Sequence, residues 1–397
     1  MSAGYARQRS KYSAGVSTST PVLPVNEFWP ILNTHNLLFQ RDCFNPLTDY
    51  TTCDLCNPWL QAVAIHEQAG DKYMANQIRP KVAMQMELRM GATDRIREVA
   101  EVIIDPTLES ATGADIIVPG YIPVNGALLD RIGPNLKLVA KPGIGVDSVD
   151  IPACTARQVL VVNTPDAPTE STAEHAVALL MAVAKRVMVG DMFLRSDRSI
   201  PRSEMMGTEL LGRTLGVIGY GRIGRRVAEI CALGLRMNVL VYDPYITGDV
   251  PTPERVTLIH DRDELLRQSQ FVTVHVPLTP QTRHYIGERE MRLMAPGSYL
   301  VNASRGPVVD EAALIRLLQE GHFAAVGLDV FDPEPPHPDN PLLTMRNVVV
   351  TPHIASSTDR GIHAMMHGVA DQVIQLLNGQ RPPHLLNPEV WPGRVKV

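Results

Sequence analysis

Residues 214–243 read TLGVIGYGRIGRRVAEICALGLRMNVLVYD, and this stretch decides the fold. Leu215, Val217 and Ile218 make a short apolar run that stops at Gly219. Gly219, Gly221 and Gly224 then give the spacing G-x-G-x-x-G. Beyond Ile223, the apolar residues Val227, Ile230, Cys231 and Leu235 recur at helical spacing. A second apolar run, Val239–Tyr242, ends at Asp243. The order is strand, tight turn, helix, strand, acid. In such a unit Gly219 permits the sharp exit from the strand, Gly221 lets backbone approach a pyrophosphate, and Gly224 lets helix and sheet lie close. The helix N-terminus offers unpaired N–H groups and the positive end of its dipole to phosphates. Asp243 stands where a carboxylate can hold both hydroxyls of an adenosine ribose, and it would repel a 2′-phosphate. The expectation is therefore NAD rather than NADP. Arg222 and Arg225 lie in the turn and early helix, not after the second strand, and do not reverse it.

Working outward, 397 residues are enough for two or three domains with real cores. Charged residues make up 20% of the chain and apolar residues 45%, as in ordinary globular proteins. A net charge of −5 gives no electrostatic case for nucleic acid or an acidic membrane surface. Apolar stretches such as Ala176–Ala184 are too short to span a bilayer. Five cysteines, unevenly placed, do not form a disulfide scaffold, and a reducing, cytoplasmic setting is expected.

Residues 1–78 are expected to form an extension or arm. Five prolines (Pro21, Pro24, Pro30, Pro46, Pro58) break long elements, while Phe28, Trp29, Phe39, Phe44 and Trp59 could anchor the segment. Residues 59–78 have a helical look. Cys43, Cys53 and Cys56 with His35 could hold zinc, but the second spaced pair of a zinc site is missing, so unliganded thiols are the favoured reading and no metal is expected. The leader 1–26 carries Arg7, Arg9 and Lys11 without an acid; it reads as a disordered leader rather than a transit peptide.

From residue 80 onward, short apolar strands alternate with helical segments, the pattern of parallel sheets buried on both faces. Strands are expected at 82–86, 102–104, 116–118, 136–140 and 159–162, then at 271–276, 299–302, 325–329 and 348–351, besides the two in the opening stretch. A single helix over 172–190 should carry the chain into the nucleotide domain. A last helix over 361–378 precedes an extended, Pro-rich tail that returns to the first domain. The fold class expected is α/β, with two Rossmann-like doubly wound parallel-sheet domains and an N-terminal extension. The domains are 79–174 with 357–397, which is the discontinuous substrate domain, and 175–356, which binds the nucleotide.

Three polar residues stand just past strand ends in the second half: Arg305, Glu334 and His353. Loops after strand C-termini gather at one edge of a parallel sheet, where ligands bind. An arginine there can hold a carboxylate in a two-pronged fork. A histidine can exchange a proton with a hydroxyl or carbonyl, and a neighbouring carboxylate can orient it. Singly, each has an ordinary reading as a salt-bridge partner, a solvated loop residue or a core histidine. Their common placement beside a dinucleotide turn favours chemistry. The turn Lys141–Asp147, with Gly143 and Gly145, could present bare N–H groups to an anion or be a plain tight turn.

These stretches together resemble the NAD-dependent D-2-hydroxyacid dehydrogenases, most closely their D-3-phosphoglycerate dehydrogenase branch. The matching segments are GIGVDSVD (143–150), NTPDAPTESTAEHAVALL (163–180), GTELLGRTLGVIGYGRIGRRVA (207–228), VYDPY (241–245), HVPLTPQTRHYI (275–286), VNASRGPVVDEAAL (301–314), GLDVFDPEP (327–335) and TPHIASST (351–358). The resemblance implies that Arg305 binds the substrate carboxylate and carbonyl, that His353 is the acid/base, and that Glu334 pairs with it. It implies a substrate site at Lys141, Gly143, Ile144 and Gly145. It implies cofactor contacts at Thr172, Gly219, Gly221, Arg222, Ile223, Gly224, Asp243, His275, Pro277, Thr282, Ala303, Ser304, Asp329, His353 and Ala355. Pro277 and Thr282 would line the adenine side and Asp329 would meet the nicotinamide amide. The implied activity is hydride exchange between NAD(H) and C2 of a 2-keto or D-2-hydroxy acid by a homodimer. Glutamate at 334 argues against formate dehydrogenase, which has glutamine there. Two phosphoglycerate-dehydrogenase arginines are missing: one after Val118–Pro119–Gly120, and one where Lys141 stands. Lysine is a weaker phosphate ligand than an arginine fork, so a non-phosphorylated or unusual 2-hydroxy acid is expected, with no serine-sensing domain after residue 385. The alternatives are a corepressor-like protein that uses NAD to organise partner binding, or a dehydrogenase of an unusual donor such as phosphite.

Overall fold

The computed structural model describes residues 79–394, Asp249 excepted. The expectations for residues 1–78, including the helix at 59–78 and the Cys43, Cys53, Cys56 and His35 group, lie outside the described residues. In chain order the first part holds β1 (Lys81–Met84), α1 (Ala92–Val99), β2 (Glu101–Ile104), β3 (Ile116–Val118), α2 (Gly126–Ile132), β4 (Leu138–Ala140), α3 (Ile151–Ala156) and β5 (Leu160–Val162). Helices α4 (Thr169–Ala184) and α5 (Val187–Arg195) follow. The second part runs β6 (Thr214–Ile218), α6 (Arg222–Glu229), β7 (Asn238–Tyr242), β8 (Val256–Leu258), α7 (Arg262–Gln268), β9 (Phe271–Val274), α8 (Glu288–Leu293), β10 (Ser298–Asn302), α9 (Glu311–Gln319), β11 (Phe323–Leu328) and β12 (Val348–Val350), and α10 (Asp359–Leu377) closes it.

The strands form two wholly parallel sheets, ordered β2-β1-β3-β4-β5 and β12-β11-β10-β9-β6-β7-β8. Both are doubly wound. Strand order reverses between β1 and β3 in the small sheet and between β6 and β9 in the large one, and a crevice for ligands opens at such a switch point.

Alternate residues of each strand feed opposite cores, which is why the strands read as continuous apolar runs. In the small sheet Val82, Met84, Ile116 and Leu138 pack with Val369 and Val373 of α10, while Ala83, Ile117 and Val139 pack with Leu128 of α2 and Cys154 of α3. In the large sheet Leu215 and Val217 face Ala176 and Leu180 of α4, while Ile218 and Val272 face α7, α8 and α9.

The structure corrects three expectations. The single helix over 172–190 is two helices, because Thr208 N–H donates to Ala184 O (2.7 Å), taking the carbonyl a continuing turn would use. Arg186 turns into the left-handed region there (φ 55°). Helices α3 and α7 were not expected. Each is short and set by a cap more than by periodicity: Asp150 accepts from Ala153 N, and Asp261 from Asp263 N. The tail is not simply extended. Leu385 bridges Val162, and Asn387, buried, accepts from Val161 N and donates to Val159 O (2.9 Å each) before a short 3₁₀ turn at Pro388–Arg394. Among the described residues no helix is long and apolar enough to cross a membrane.

Candidate active site

The glycine-rich turn lies at the large sheet's switch point. Gly219 adopts φ +94°, and a Cβ there would meet His275 O of the neighbouring strand end at 2.6 Å. A Cβ on Gly224 would lie 1.9 Å from Gly219 O, so only glycine lets α6 begin this close to β6. Gly221 faces open space, and the first turn of α6 points into it. Asp243 closes the far side: its carboxylate accepts from Tyr220 N (2.9 Å) and Tyr245 N (3.0 Å), which fixes it beside the turn with acceptor capacity left over. Residues 244–248 contain no cation to hold a 2′-phosphate. A cleared turn, an open helix N-terminus and an oriented acid fit a dinucleotide without a 2′-phosphate.

Arg222 donates to Asp166 (2.5 Å) at the mouth of this turn, and Ile223 packs inward against the α4 core. Beyond β9, Thr282 Oγ1 donates to Pro277 O (2.6 Å), which shapes that loop. His275 bonds Thr273 Oγ1 (2.9 Å), and burial pushes its imidazole down to about 4, so at neutral pH it is uncharged. Thr172, Ala303 and Ala355 are buried nearby in the fold's interior.

Loops after β10, β11 and β12 carry Arg305, Glu334 and His353, and the last two meet directly. His353 Nδ1 lies 2.5 Å from Glu334 Oε1. A carboxylate only accepts, so Nδ1 carries the proton and Nε2 is left free to exchange one. Glu334 Oε2 accepts from Phe331 N (3.3 Å). His353 is held in the left-handed region (φ 52°). Its N–H donates to Asp329 O (2.8 Å), and the next two N–H groups, of Ile354 and Ala355, donate to the Asp329 carboxylate (2.9 Å each). Asp329 is fully buried. Burial works against its charge, but hydrogen bonds from His175, Thr351, Ile354 and Ala355 hold it below the usual carboxylate range. The loop bearing Arg305 is fixed by Asn302, whose amide donates to Arg305 O (2.9 Å) and accepts from Ser304 N (3.0 Å). Gly306 must be glycine, since a Cβ would lie 1.8 Å from Phe331 O.

The small sheet supplies the opposing wall. Arg305 Nε donates to Asp147 (2.9 Å), Nη1 donates to Ser304 O (2.8 Å), and Nη2 fills the space where a Gly145 Cβ would stand, 1.5 Å away. The N–H groups of Ile144 and Gly145 find no acceptor among the described residues. Gly143 differs: its N–H is taken by Thr164 Oγ1 (2.8 Å), so it shapes the turn and is not free to bind. Asn163 donates to Ile144 O (2.9 Å) and steadies the same turn. Lys141 donates to Gly120 O and lies 5.8 Å from the Tyr121 ring. Burial lowers its ammonium to about 8, with Asp147 opposing and Arg305 adding to the shift. Gln85 Oε1 accepts three successive N–H groups, from Gly120, Tyr121 and Ile122 (2.7–3.1 Å), and so fixes the loop after β3. Asp147, Asn163, Asn302 and Gln85 escape a reading by spacing, because each acts through loop geometry.

A profile for the NAD-binding domain of D-isomer specific 2-hydroxyacid dehydrogenases matches residues 177–355. Glyoxylate reductase of Thermococcus gammatolerans is 38% identical over 329 residues, covering 79% of this chain and 97% of that protein. The chain belongs to the D-isomer specific 2-hydroxyacid dehydrogenase family. D-3-phosphoglycerate dehydrogenase of Archaeoglobus fulgidus is 39% identical over 337 residues, covering 84% of this chain. The chain spans only 60% of that relative's length. D-lactate dehydrogenase of Aquifex aeolicus, solved with NAD and lactic acid, superposes with a TM-score of 0.68 at 29% identity, covering 77% of this chain and 98% of that one. The family match and the fit of the turn agree on NAD as cofactor.

Proposed function

We propose that this chain is a dehydrogenase that interconverts a 2-keto acid and a D-2-hydroxy acid with NAD(H). The observation that carries the reading is the Glu334–His353 pair; it is supported by Arg305, on another strand-end loop, lying against the turn where the N–H groups of Ile144 and Gly145 find no acceptor among the described residues. Bound NADH supplies the hydride to C2, and NAD takes it back in the reverse direction. Arg305 Nη2 and the two N–H groups hold the substrate carboxylate, which places C2 and its oxygen toward His353. His353 Nε2 gives a proton to the keto oxygen during reduction and removes one from the hydroxyl during oxidation. Glu334 keeps the ring oriented and balances the imidazolium charge. Asp243 selects NAD by repelling a 2′-phosphate.

The five-stranded part with residues 357–397 acts in this reading as the substrate domain, and 175–356 as the nucleotide domain. A non-phosphorylated acid is the substrate class, because the loop after β3 offers Gly120 and Tyr121 but no arginine, and Lys141 is a single ammonium already engaged by Gly120 O. A homodimer is supported by the apolar residues Val187, Met188, Leu194, Met206 and Leu211, which stand exposed on and after α5. Buried free thiols at Cys154 and Cys231 suit a reducing cytoplasm.

The test is NADH consumption against a panel of 2-keto acids that includes glyoxylate, hydroxypyruvate, pyruvate, branched and aromatic acids and 3-phosphohydroxypyruvate. Turnover of a non-phosphorylated acid, lost by several orders of magnitude in His353→Ala with NADH binding intact, is the expected result. Full turnover in His353→Ala, or silence across the panel, overturns it.

A further inference from the structure

We propose that His175, on α4 and outside the reacting set, is a positioning residue that holds the His353 loop in its active conformation through Thr351 and Asp329. The proposal rests on the dehydrogenase reading above. Thr351 Oγ1 has one proton, and it goes to Asp329 Oδ1 (2.6 Å). The Thr351 oxygen is therefore an acceptor toward His175 Nε2 at 3.0 Å, which makes Nε2 the protonated nitrogen of His175. The same N–H also faces Asp329 Oδ1 at 3.3 Å. One imidazole donor thus serves both the hydroxyl and the carboxylate around which residues 351–355 are wound.

That winding needs support. His353 sits at φ 52°, a backbone conformation that costs a non-glycine residue free energy and persists only where its surroundings impose it. The restraints on it are the Asp329 carbonyl and carboxylate, which take the N–H groups of His353, Ile354 and Ala355. Every one of those bonds joins residues within 329–355. His175 is a side chain from another element that bonds the Thr351 hydroxyl and faces the Asp329 carboxylate directly.

The element it comes from matters. α4 follows the first crossing between the sheets, and near its start Ser171 bonds Thr358 on the second crossing (2.7 Å). A Cβ on Gly361 would lie 2.5 Å from Ser171 Oγ, so the return segment is pressed against α4. One helix turn later, His175 reaches the catalytic loop. His353 is thereby referenced to the helix that follows the first crossing and touches the second, and no longer only to its own strand. A ring held about an ångström off line can cost a hundredfold in rate.

The experiment is single-turnover NADH oxidation by the preformed enzyme–NADH complex, using the best keto acid from the panel, on wild type, His175→Asn and His175→Gln. Glutamine carries an amide donor to about the reach of Nε2; asparagine is equally polar but too short. The amplitude reads how much enzyme binds NADH, and the rate constant reads how well His353 and Arg305 are placed. The expected result is a rate constant about tenfold lower in His175→Asn at undiminished amplitude, restored to within about threefold of wild type in His175→Gln. An unchanged rate constant in His175→Asn overturns the proposal, with or without a fall in amplitude, and so does an equal loss in both variants. Silence of the wild type itself would instead overturn the dehydrogenase reading on which this one rests.

Discussion

Arg305 reaches from the large sheet to Asp147 of the small one, its Nε donating to the carboxylate at 2.9 Å, while its Nη2 lies over the backbone of Gly145. Asp147 takes Nε and Ser304 O takes Nη1, which leaves Nη2 beside the turn whose Ile144 and Gly145 N–H groups find no acceptor among the described residues. Both partners are partly exposed, so the pair contributes only about 1 kcal/mol or less to stability. Its work is orientation. Asp147→Ala is expected to raise KM for the keto acid about fivefold, or about 1 kcal/mol of binding, with NADH affinity and melting temperature nearly unchanged. Steady-state kinetics and a thermal melt check this; an unchanged KM would mean that Arg305 holds its place without Asp147.

The space over Gly145 gives a sharper test. A methyl group there would lie 1.5 Å from Nη2, the far end of a flexible side chain, so the arginine must move and the backbone need not. Gly145 is not in the left-handed region, so alanine brings no backbone strain. Gly145→Ala should fold with a stability within about 0.5 kcal/mol of wild type. Its kcat/KM should fall about a hundredfold, the scale expected when a positioning group shifts by an ångström. A melt together with kcat/KM separates the two effects, and full activity would show that the carboxylate does not lie here.

The nucleotide half of the fold was legible because its signals are local. The Gly219–Gly224 turn needs glycines for steric reasons that sequence spacing records, and strands buried on both faces read as plain apolar runs. Arg305, Glu334 and His353 could be singled out as candidates because each follows a strand end, and parallel topology sends strand ends to one edge. Long-range partners were not legible. Asp147 meets Arg305 across 158 positions and His175 meets Thr351 across 176, and no periodicity links such pairs. The break between α4 and α5 was hidden for the same reason, since Thr208, far along the chain, captures the Ala184 carbonyl. Gly143 shows the limit of motif transfer: it stands in the turn expected to take an anion, yet its own N–H is spent on Thr164.

In the proposed reading Asp243 carries the cofactor choice. Two backbone N–H groups donate to its carboxylate and orient it. Asp243→Asn keeps an acceptor for one of the two N–H groups and removes the charge that repels a 2′-phosphate. The ratio of NADPH to NADH affinity should rise about tenfold, with NADH itself weakened by a similar factor, each step near 1.4 kcal/mol. Fluorescence titration with both nucleotides measures it. An unchanged ratio would place the discrimination elsewhere, for instance in the exposed loop at Tyr245.

In the proposed reading Lys141 links the substrate side to pH. Its ammonium falls from the ordinary lysine value of 10.5 to about 8, first because it is buried, with Asp147 partly offsetting and Arg305 adding to the cost. The folded protein therefore holds this proton less tightly than the unfolded chain does. Below about pH 8 the lysine is charged in both states, and folding carries the full cost of burying it. Between about 8 and 10.5 the unfolded chain binds more protons, so this cost is relieved as pH rises. Lys141→Met should be more stable than wild type at pH 7, by about 1–2 kcal/mol once the lost bond to Gly120 O is counted, and that advantage should shrink toward pH 10. Urea unfolding of both proteins at pH 7 and pH 9.5 tests the sign. A gap that stays constant or widens with pH would show that Lys141 keeps its proton in the folded protein. The same titration predicts that substrate carboxylates bind more weakly above pH 8 in wild type than in Lys141→Arg, whose guanidinium keeps its charge throughout.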